Sequence, residues 1–179
     1  MIHYTCACPS DAAEIEELFI NVFTDSEGPA EGEMIGRLVR DFMGQTPEED
    51  LYCFVARDAE RIVGGIFFSR ITFESETKAF ILGPVAVQSR SQGQGIGLTL
   101  IRHGLDQLSN DEVELAITYG DPRFYSKVGF QVVSPETIPA PLPLQFPEGW
   151  QAQSLQRQSL PSIPGKSSCV EALNHPAYW

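Results

Sequence analysis

The sequence predicts an α/β domain built on a mixed central sheet, and three observations carry that prediction. A mostly apolar run from Phe80 to Val87 leads into a glycine-rich turn and then an apolar stripe at helical spacing. Two more apolar runs, residues 51–56 and 62–69, are joined by the short polar stretch Arg57-Asp58-Ala59-Glu60-Arg61, which signals a hairpin. A further short run at residues 113–119 follows the central helix, and a helix between two strands favours a parallel crossover. The expected result is an antiparallel meander of strands two, three and four with a parallel fifth strand beside it.

Taken in order, residues 2–7 alternate apolar and polar and read as the first strand. Ser10 or Asp11 can cap a helix, and Asp11 with Glu14 has the spacing of a capping box. Ile15, Leu18, Phe19, Val22 and Phe23 then share one helical face. Gly28-Pro29 breaks the chain, after which Met34, Ile35, Leu38, Val39, Phe42 and Met43 mark a second amphipathic helix ending near Gly44 and Pro47. The polar turn Glu74-Ser75-Glu76-Thr77 returns the chain to the central strand. Within that strand Pro84 lacks the N–H a ladder needs, so a bulge or an unpaired position is expected there. Residues 121–127 suit a short helix and Phe130-Gln131-Val132-Val133 the strand after it.

From Pro135 onward the composition changes, with eight of the thirteen prolines between Pro135 and Pro176. Pro139, Pro141 and Pro143 alternate with apolar residues and exclude a helix. Residues 168–173 suit a final strand, and Trp150 and Trp179 predict a tail packed on the body. The expected organisation is one domain over residues 1–179, with a core at 1–134 and a Pro-rich segment at 135–179 packed on it.

Composition narrows the function. Of 179 residues 42% are apolar and 20% charged, which is ordinary for a globule. A formal charge of −12 argues against nucleic acid, whose phosphates call for a basic face, and against anionic membranes. No signal-peptide pattern and no run of membrane-spanning length is present, so a cytoplasmic location is expected. Cys6, Cys8, Cys53 and Cys169 lack zinc-ligand spacing, and His3, His103 and His175 are scattered. No metal site is expected, and the thiols are read as reduced and mostly packed.

The turn after the central strand is built for an anion. Gln92-Gly93-Gln94-Gly95-Ile96-Gly97 places three glycines at alternate positions ahead of a helix. The first amides of a helix have no internal partner, and glycines let a bulky ligand approach them. A dinucleotide fingerprint would require glycine where Leu98 stands, and no Gly-Lys-Ser/Thr of a Walker loop follows. The pattern does match Gln/Arg-x-x-Gly-x-Gly/Ala, with Gln92, Gly95 and Gly97 at the defined positions. Val85-Ala86-Val87 precedes it, and Phe124-Tyr125-Ser126-Lys127-Val128-Gly129-Phe130 follows.

In these motifs residues 2–133 resemble the GCN5-related N-acetyltransferase (GNAT) superfamily, and within it the small bacterial branch of predicted N-acetyltransferases. The resemblance implies a mixed sheet with helices on both faces, whose fourth and fifth strands splay to hold acetyl-CoA as cosubstrate. It implies contacts from Val85, Ala86 and Val87 to the thioester and pantetheine, with the Val85 N–H facing the carbonyl. A backbone donor aimed at a developing oxyanion contributes on the order of 3 kcal/mol. It implies that Gln92, Gly93, Gln94, Gly95, Ile96, Gly97 and Leu98 hold the pyrophosphate, with Arg90 as an electrostatic supplement. It implies that Tyr125 acts as general acid toward the leaving sulfur, as a phenol of ordinary pKa ~10 can. Gly120-Asp121-Pro122-Arg123-Phe124 is shorter than the family's Asn-Pro segment upstream of this tyrosine.

No general base stands out: Glu31, Glu33, Glu74, Glu76, Glu112, Glu114, Tyr119 and a water chain all remain open. The expected activity is acetyl transfer by direct attack of a primary amine, on a small molecule or a peptide. The alternative is an acyl-CoA-binding sensor or interaction module without turnover, which would keep Gly95 and Gly97 and have no use for Tyr125. The acidic run at residues 25–33, expected between the first two helices, favours a cationic acceptor. Self-association into a homodimer is left open.

Overall fold

The computed structural model describes residues 1–179. Its strands are β1 Ile2–Cys6, β2 Leu51–Asp58, β3 Arg61–Phe73, β4 Ala79–Val87, β5 Leu115–Tyr119, β6 Gln131–Val132, β7 Trp150–Ser154 and β8 Ser167–Cys169. Its helices are α1 Ala12–Glu27, α2 Pro29–Gln45, α3 Ile96–Asn110 and the short α4 Pro122–Tyr125. The sheet runs in the order β1-β2-β3-β4-β5-β7-β6, with β8 joined to β3. β5 lies parallel to β4 through Ala79↔Leu115 to Leu82↔Thr118. Its other neighbour, β7, is antiparallel. This is the mixed sheet expected from the crossover. No helix is long and apolar enough to cross a membrane.

The chain forms two compact units. The first comprises Met1–Phe67 and Pro84–His103. Here β3 alternates its contacts. A Cβ at Gly65 would touch Phe19 of α1, and Phe67 meets both Phe19 and Phe42 of α2. A Cβ at Gly64, pointing the other way, would touch Ile96 of α3. Because successive side chains in a strand leave opposite faces, α1 and α2 cover one side and α3 the other. The apolar residues spaced for these contacts, Ile15, Leu18, Phe19, Leu38, Val39, Phe42, Leu100 and Ile101, are all buried.

The start of α1 departs from the expected capping box. Asp11 itself has helical backbone angles (φ −83°, ψ −10°), so its side chain is not placed as an N-cap. Its carboxylate instead accepts from the Cys8 N–H at 2.7 Å and pairs with Arg57 at 2.6 Å. Glu14 accepts from the Ile62 N–H of β3 at 2.8 Å. Burial pushes the Asp11 carboxyl up, but the Cys8 N–H and the Arg57 guanidinium together outweigh it and hold the carboxyl below its ordinary value. A depressed carboxylate adds stability above its ordinary pKa and loses it as pH falls through the folded value. Arg57→Ala is therefore expected to cost about 2 kcal/mol at neutral pH, less in acid, read from denaturant midpoints across pH.

The second unit comprises Phe68–Gly83 and Gly104–Trp179. The Pro-rich segment does more here than pack on a finished body. β7 enters the sheet between β5 and β6 and pairs with both. Trp150 and Trp179 are buried, with their indole N–H groups donating to Ile138 O and Leu173 O at 2.8 and 2.9 Å. The two rings and Tyr119 form one aromatic cluster. The final strand is shorter than expected: β8 ends at Cys169, and Glu171–Leu173 is a 3-10 turn. Val170-Glu171 leaves the ladder with β3, which covers Ile71↔Cys169 to Phe73↔Ser167.

Candidate active site

In the first unit β4 carries Val85, Ala86 and Val87 toward the glycine turn, with Ala86 buried and its neighbours half-buried. These residues lie beyond the last β4–β5 pair, Leu82↔Thr118. Pro84 does not end the strand, which runs on to Val87. The Gln88 N–H closes onto Val63 O at 2.8 Å, and a 3-10 turn at Ser89–Ser91 follows. Gln92 then folds its amide back, donating Nε2–H to Val87 O at 2.9 Å. This shapes the loop and engages the carbonyl of Val87, a residue that the resemblance pairs with pantetheine.

Gly93 and Gly95 have φ of +76° and +78°, a region that side-chain-bearing residues rarely adopt. A Cβ on either would meet nothing within 4 Å, so open space faces this turn. The first bond of α3 runs from Thr99 N to Gly95 O at 3.0 Å, so the amides of Ile96, Gly97 and Leu98 precede it. The Ile96 side chain is core, and its N–H alone is available to a ligand. An open glycine turn ahead of three unpartnered amides fits a pyrophosphate. Arg90 is not directed by any bond to this turn; its Nε donates to Gln88 Oε1 at 2.9 Å.

Beside this loop lies a groove of about 490 Å³ that the sequence did not reveal. One wall is α1, through Glu14, Glu17, Asn21 and Asp25; the other holds Arg61, Gln88, Ser89 and Arg90. Ser89 donates to Asp25 Oδ2 at 2.7 Å, tying the end of α1 to the loop. Polar residues at 14, 17, 21 and 25 follow helical spacing, which is the signal that could have exposed this face. The acidic run at residues 25–33 is not a loop. It is the last turn of α1 and the first of α2, joined at Gly28. Glu31 is pushed above its ordinary pKa, first by burial and then by the facing Glu27.

In the second unit Tyr125 closes α4, which Asp121 caps by accepting the Arg123 N–H at 2.9 Å. Its ring meets Phe124 and Phe130 edge-on, at centroid distances of 5.0 and 5.9 Å. Burial pushes the phenol up to about 12, and a hydrogen bond with Thr118 opposes that rise. Of the groups considered as base, Tyr119 is committed elsewhere: its hydroxyl accepts from Phe146 N–H at 2.8 Å and donates to Trp179 O at 3.4 Å. Glu114 is likewise a structural clamp, accepting from Lys78 N–H at 2.9 Å where β4 and β5 begin to pair.

Comparison with known proteins agrees with this architecture. Residues 49–132 match the model of the acetyltransferase (GNAT) domain. The chain is 30% identical over 168 residues to the uncharacterized N-acetyltransferase YjhQ of Escherichia coli K12, covering 90% of this chain and 88% of that one. Among solved structures, the GNAT family N-acetyltransferase YhbS of Escherichia coli in complex with CoA superposes with a TM-score of 0.77 at 25% identity, covering 97% of this chain and 92% of that one. A GNAT family acetyltransferase from Brucella melitensis in complex with acetyl-CoA gives 0.72 at 26% identity, over 97% and 99% of the two chains. This chain belongs to the GNAT family of N-acetyltransferases.

Proposed function

We propose that this protein transfers an acetyl group from acetyl-CoA to a primary amine of a small molecule or peptide by direct attack. The observation that carries the reading is the open turn at Gly93 and Gly95, set immediately before the free amides of α3. Several N–H donors and the positive end of a helix of 15 residues favour a pyrophosphate there. Two relatives of this fold are known with CoA or acetyl-CoA bound. Bound acetyl-CoA supplies the acetyl group as a thioester.

Gln92 shapes the phosphate turn, whose backbone from Gly93 to Leu98 holds the diphosphate, with Gln94 at its tip. The Val85 N–H donates to the thioester carbonyl, and the backbone of Ala86 and Val87 aligns the pantetheine. Tyr125 holds a proton for the sulfur as it leaves. A phenol whose pKa is pushed up to about 12 stays protonated at neutral pH and so remains a donor. Release of free thiol from acetyl-CoA, assayed across a panel of amines, tests the whole reading. Amine-dependent release is expected; binding without release with every amine class would favour a sensor on this fold.

The acceptor is a cationic amine. The groove carries three carboxylates, Glu14, Glu17 and Asp25, against the two guanidinium groups of Arg61 and Arg90. The bonds that Ile62 N–H and the Ser89 hydroxyl make to Glu14 and Asp25 leave the negative charges in place. A net negative rim concentrates cations and raises their encounter rate. The kcat/KM for a cationic acceptor is therefore expected to fall steeply as salt rises, because screening shortens the reach of exposed charges. A flat salt profile, or preference for acidic acceptors, would remove this assignment and leave acetyl transfer untouched.

A further inference from the structure

The groove beside the glycine loop holds opposite charges that are not paired with each other. All of its lining belongs to the first unit. The α1 wall carries Glu14, Glu17 and Asp25, and the facing wall carries Arg61 and Arg90. Elsewhere in the chain such neighbours close on one another: Arg37 pairs with Glu33, Arg40 with Glu16, Arg57 with Asp11 and Arg123 with Asp121. Neither groove arginine does so. The Arg61 guanidinium and the Glu17 carboxylate have no partner in the chain. Arg90 is turned to Gln88 Oε1 at 2.9 Å. The other two carboxylates take neutral donors instead, Glu14 the Ile62 N–H at 2.8 Å and Asp25 the Ser89 hydroxyl at 2.7 Å. Leu18, Val22 and Ile62, all buried, add an apolar floor.

A ligand that satisfies both walls carries both signs, and one that also covers the floor carries them on an aliphatic chain. We propose that the acceptor is a basic amino acid: a small aliphatic molecule with one carboxylate and two amino groups. This rests on the reading of the groove as the acceptor site of the acetyl transfer. The carboxylate takes the Arg61 fork, whose N–H groups are all unspent and match a carboxylate in pairs. The amino group that does not react takes Glu17 as its counter-ion, and the methylenes lie on the floor. Three carboxylates against two guanidinium groups leave the groove one positive charge short, and a ligand with two ammonium groups and one carboxylate supplies it. A volume of about 490 Å³ lies in the range of small-molecule sites. The reacting amino group first gives its ammonium proton to solvent and then attacks the thioester carbon. The C–N bond forms and the C–S bond breaks with its electron pair going to sulfur. The further proton that this nitrogen loses ends on that sulfur, so the products are one N-acetylated amino acid and one thiol.

Three acceptors of similar length dissect the site: lysine, cadaverine, which lacks the carboxylate, and ε-aminocaproate, which lacks the α-ammonium. With the wild type, kcat/KM for lysine should exceed that for either analogue by roughly tenfold or more, the effect of one charge-assisted bond. Arg61→Gln should erase the preference over cadaverine and keep that over ε-aminocaproate; Glu17→Gln should do the reverse. Both side chains are exposed, so neither substitution threatens the fold. Calorimetric titration of each acceptor into protein saturated with CoA reads the same preferences without turnover. Cadaverine used as well as lysine, or a preference over cadaverine that survives Arg61→Gln, overturns the carboxylate site. A preference over ε-aminocaproate that survives Glu17→Gln overturns the ammonium site. Absence of lysine binding overturns the whole inference. Arg61-dependent binding of lysine without acetyl transfer upholds the groove as an amino-acid site and refutes the transferase reading. Turnover of amines with no preference among the three does the opposite.

Discussion

Gly95→Glu is expected to abolish acetyl-CoA binding. In the wild type, acetyl-CoA at a hundred times its Kd should stabilise the fold by about 2.7 kcal/mol. That is a shift of several degrees in Tm for a chain of this size. The glutamate side chain would occupy the space that lies open before α3, and it would set a negative charge against the diphosphate. The free protein should tolerate it better than the complex, because nothing stands within 4 Å of the added Cβ. What remains is the strain of a side chain at φ +78°, on the order of 1 kcal/mol. Thermal scans of both proteins with and without acetyl-CoA separate the two effects. A wild type that shows no shift at millimolar acetyl-CoA refutes the cosubstrate assignment. A variant that still shifts fully would move the diphosphate away from this loop.

Tyr125→Phe is expected to lower kcat by roughly ten- to a thousandfold, the range of lost acid–base assistance, with little change in acetyl-CoA affinity. Phenylalanine preserves the edge-on contacts with Phe124 and Phe130, so the ring should stay in place and only the proton be lost. The pH profile carries a second check. Burial raises the phenol to about 12, above its ordinary 10, and the protonated form is the one that donates. The working form is therefore present at every pH below the ordinary value, and titration of Tyr125 enters only as pH climbs toward about 12. Any alkaline limb near neutrality must belong to another group. Unchanged turnover in Tyr125→Phe would leave this residue a packing role alone.

The strand, glycine turn and helix from Ala79 to Asn110 were legible in the sequence because each depends on near neighbours. An apolar run, alternating glycines and a stripe at helical spacing are local patterns, and a local pattern survives without knowledge of the fold. The same holds for Gln92, Gly95 and Gly97 and for Tyr125 ahead of Gly129-Phe130, whose types and spacing pointed to the family. β7 was not legible. Its residues, Trp-Gln-Ala-Gln-Ser, are few and hold no β-branched residue, with only Trp150 and Ala152 apolar, so the stretch lacks the composition that announces a strand. The partners of those glutamines come mostly from afar: Gln151 Nε2 donates to Gly120 O as well as to nearby Gly149 O, both at 3.2 Å, and Gln153 Nε2 donates to Val128 O at 2.9 Å. Likewise a sequence shows that Tyr119, Glu114 and Thr118 can hydrogen-bond, and leaves their partners unnamed. Tyr119 is taken by Phe146 and Trp179, Glu114 by Lys78, and Thr118 by Leu82, across 27 to 60 residues of chain. Residue type decides what a group can do; the tertiary structure decides which of those capacities is already spent, because a buried polar group must be paired with whatever the fold brings beside it.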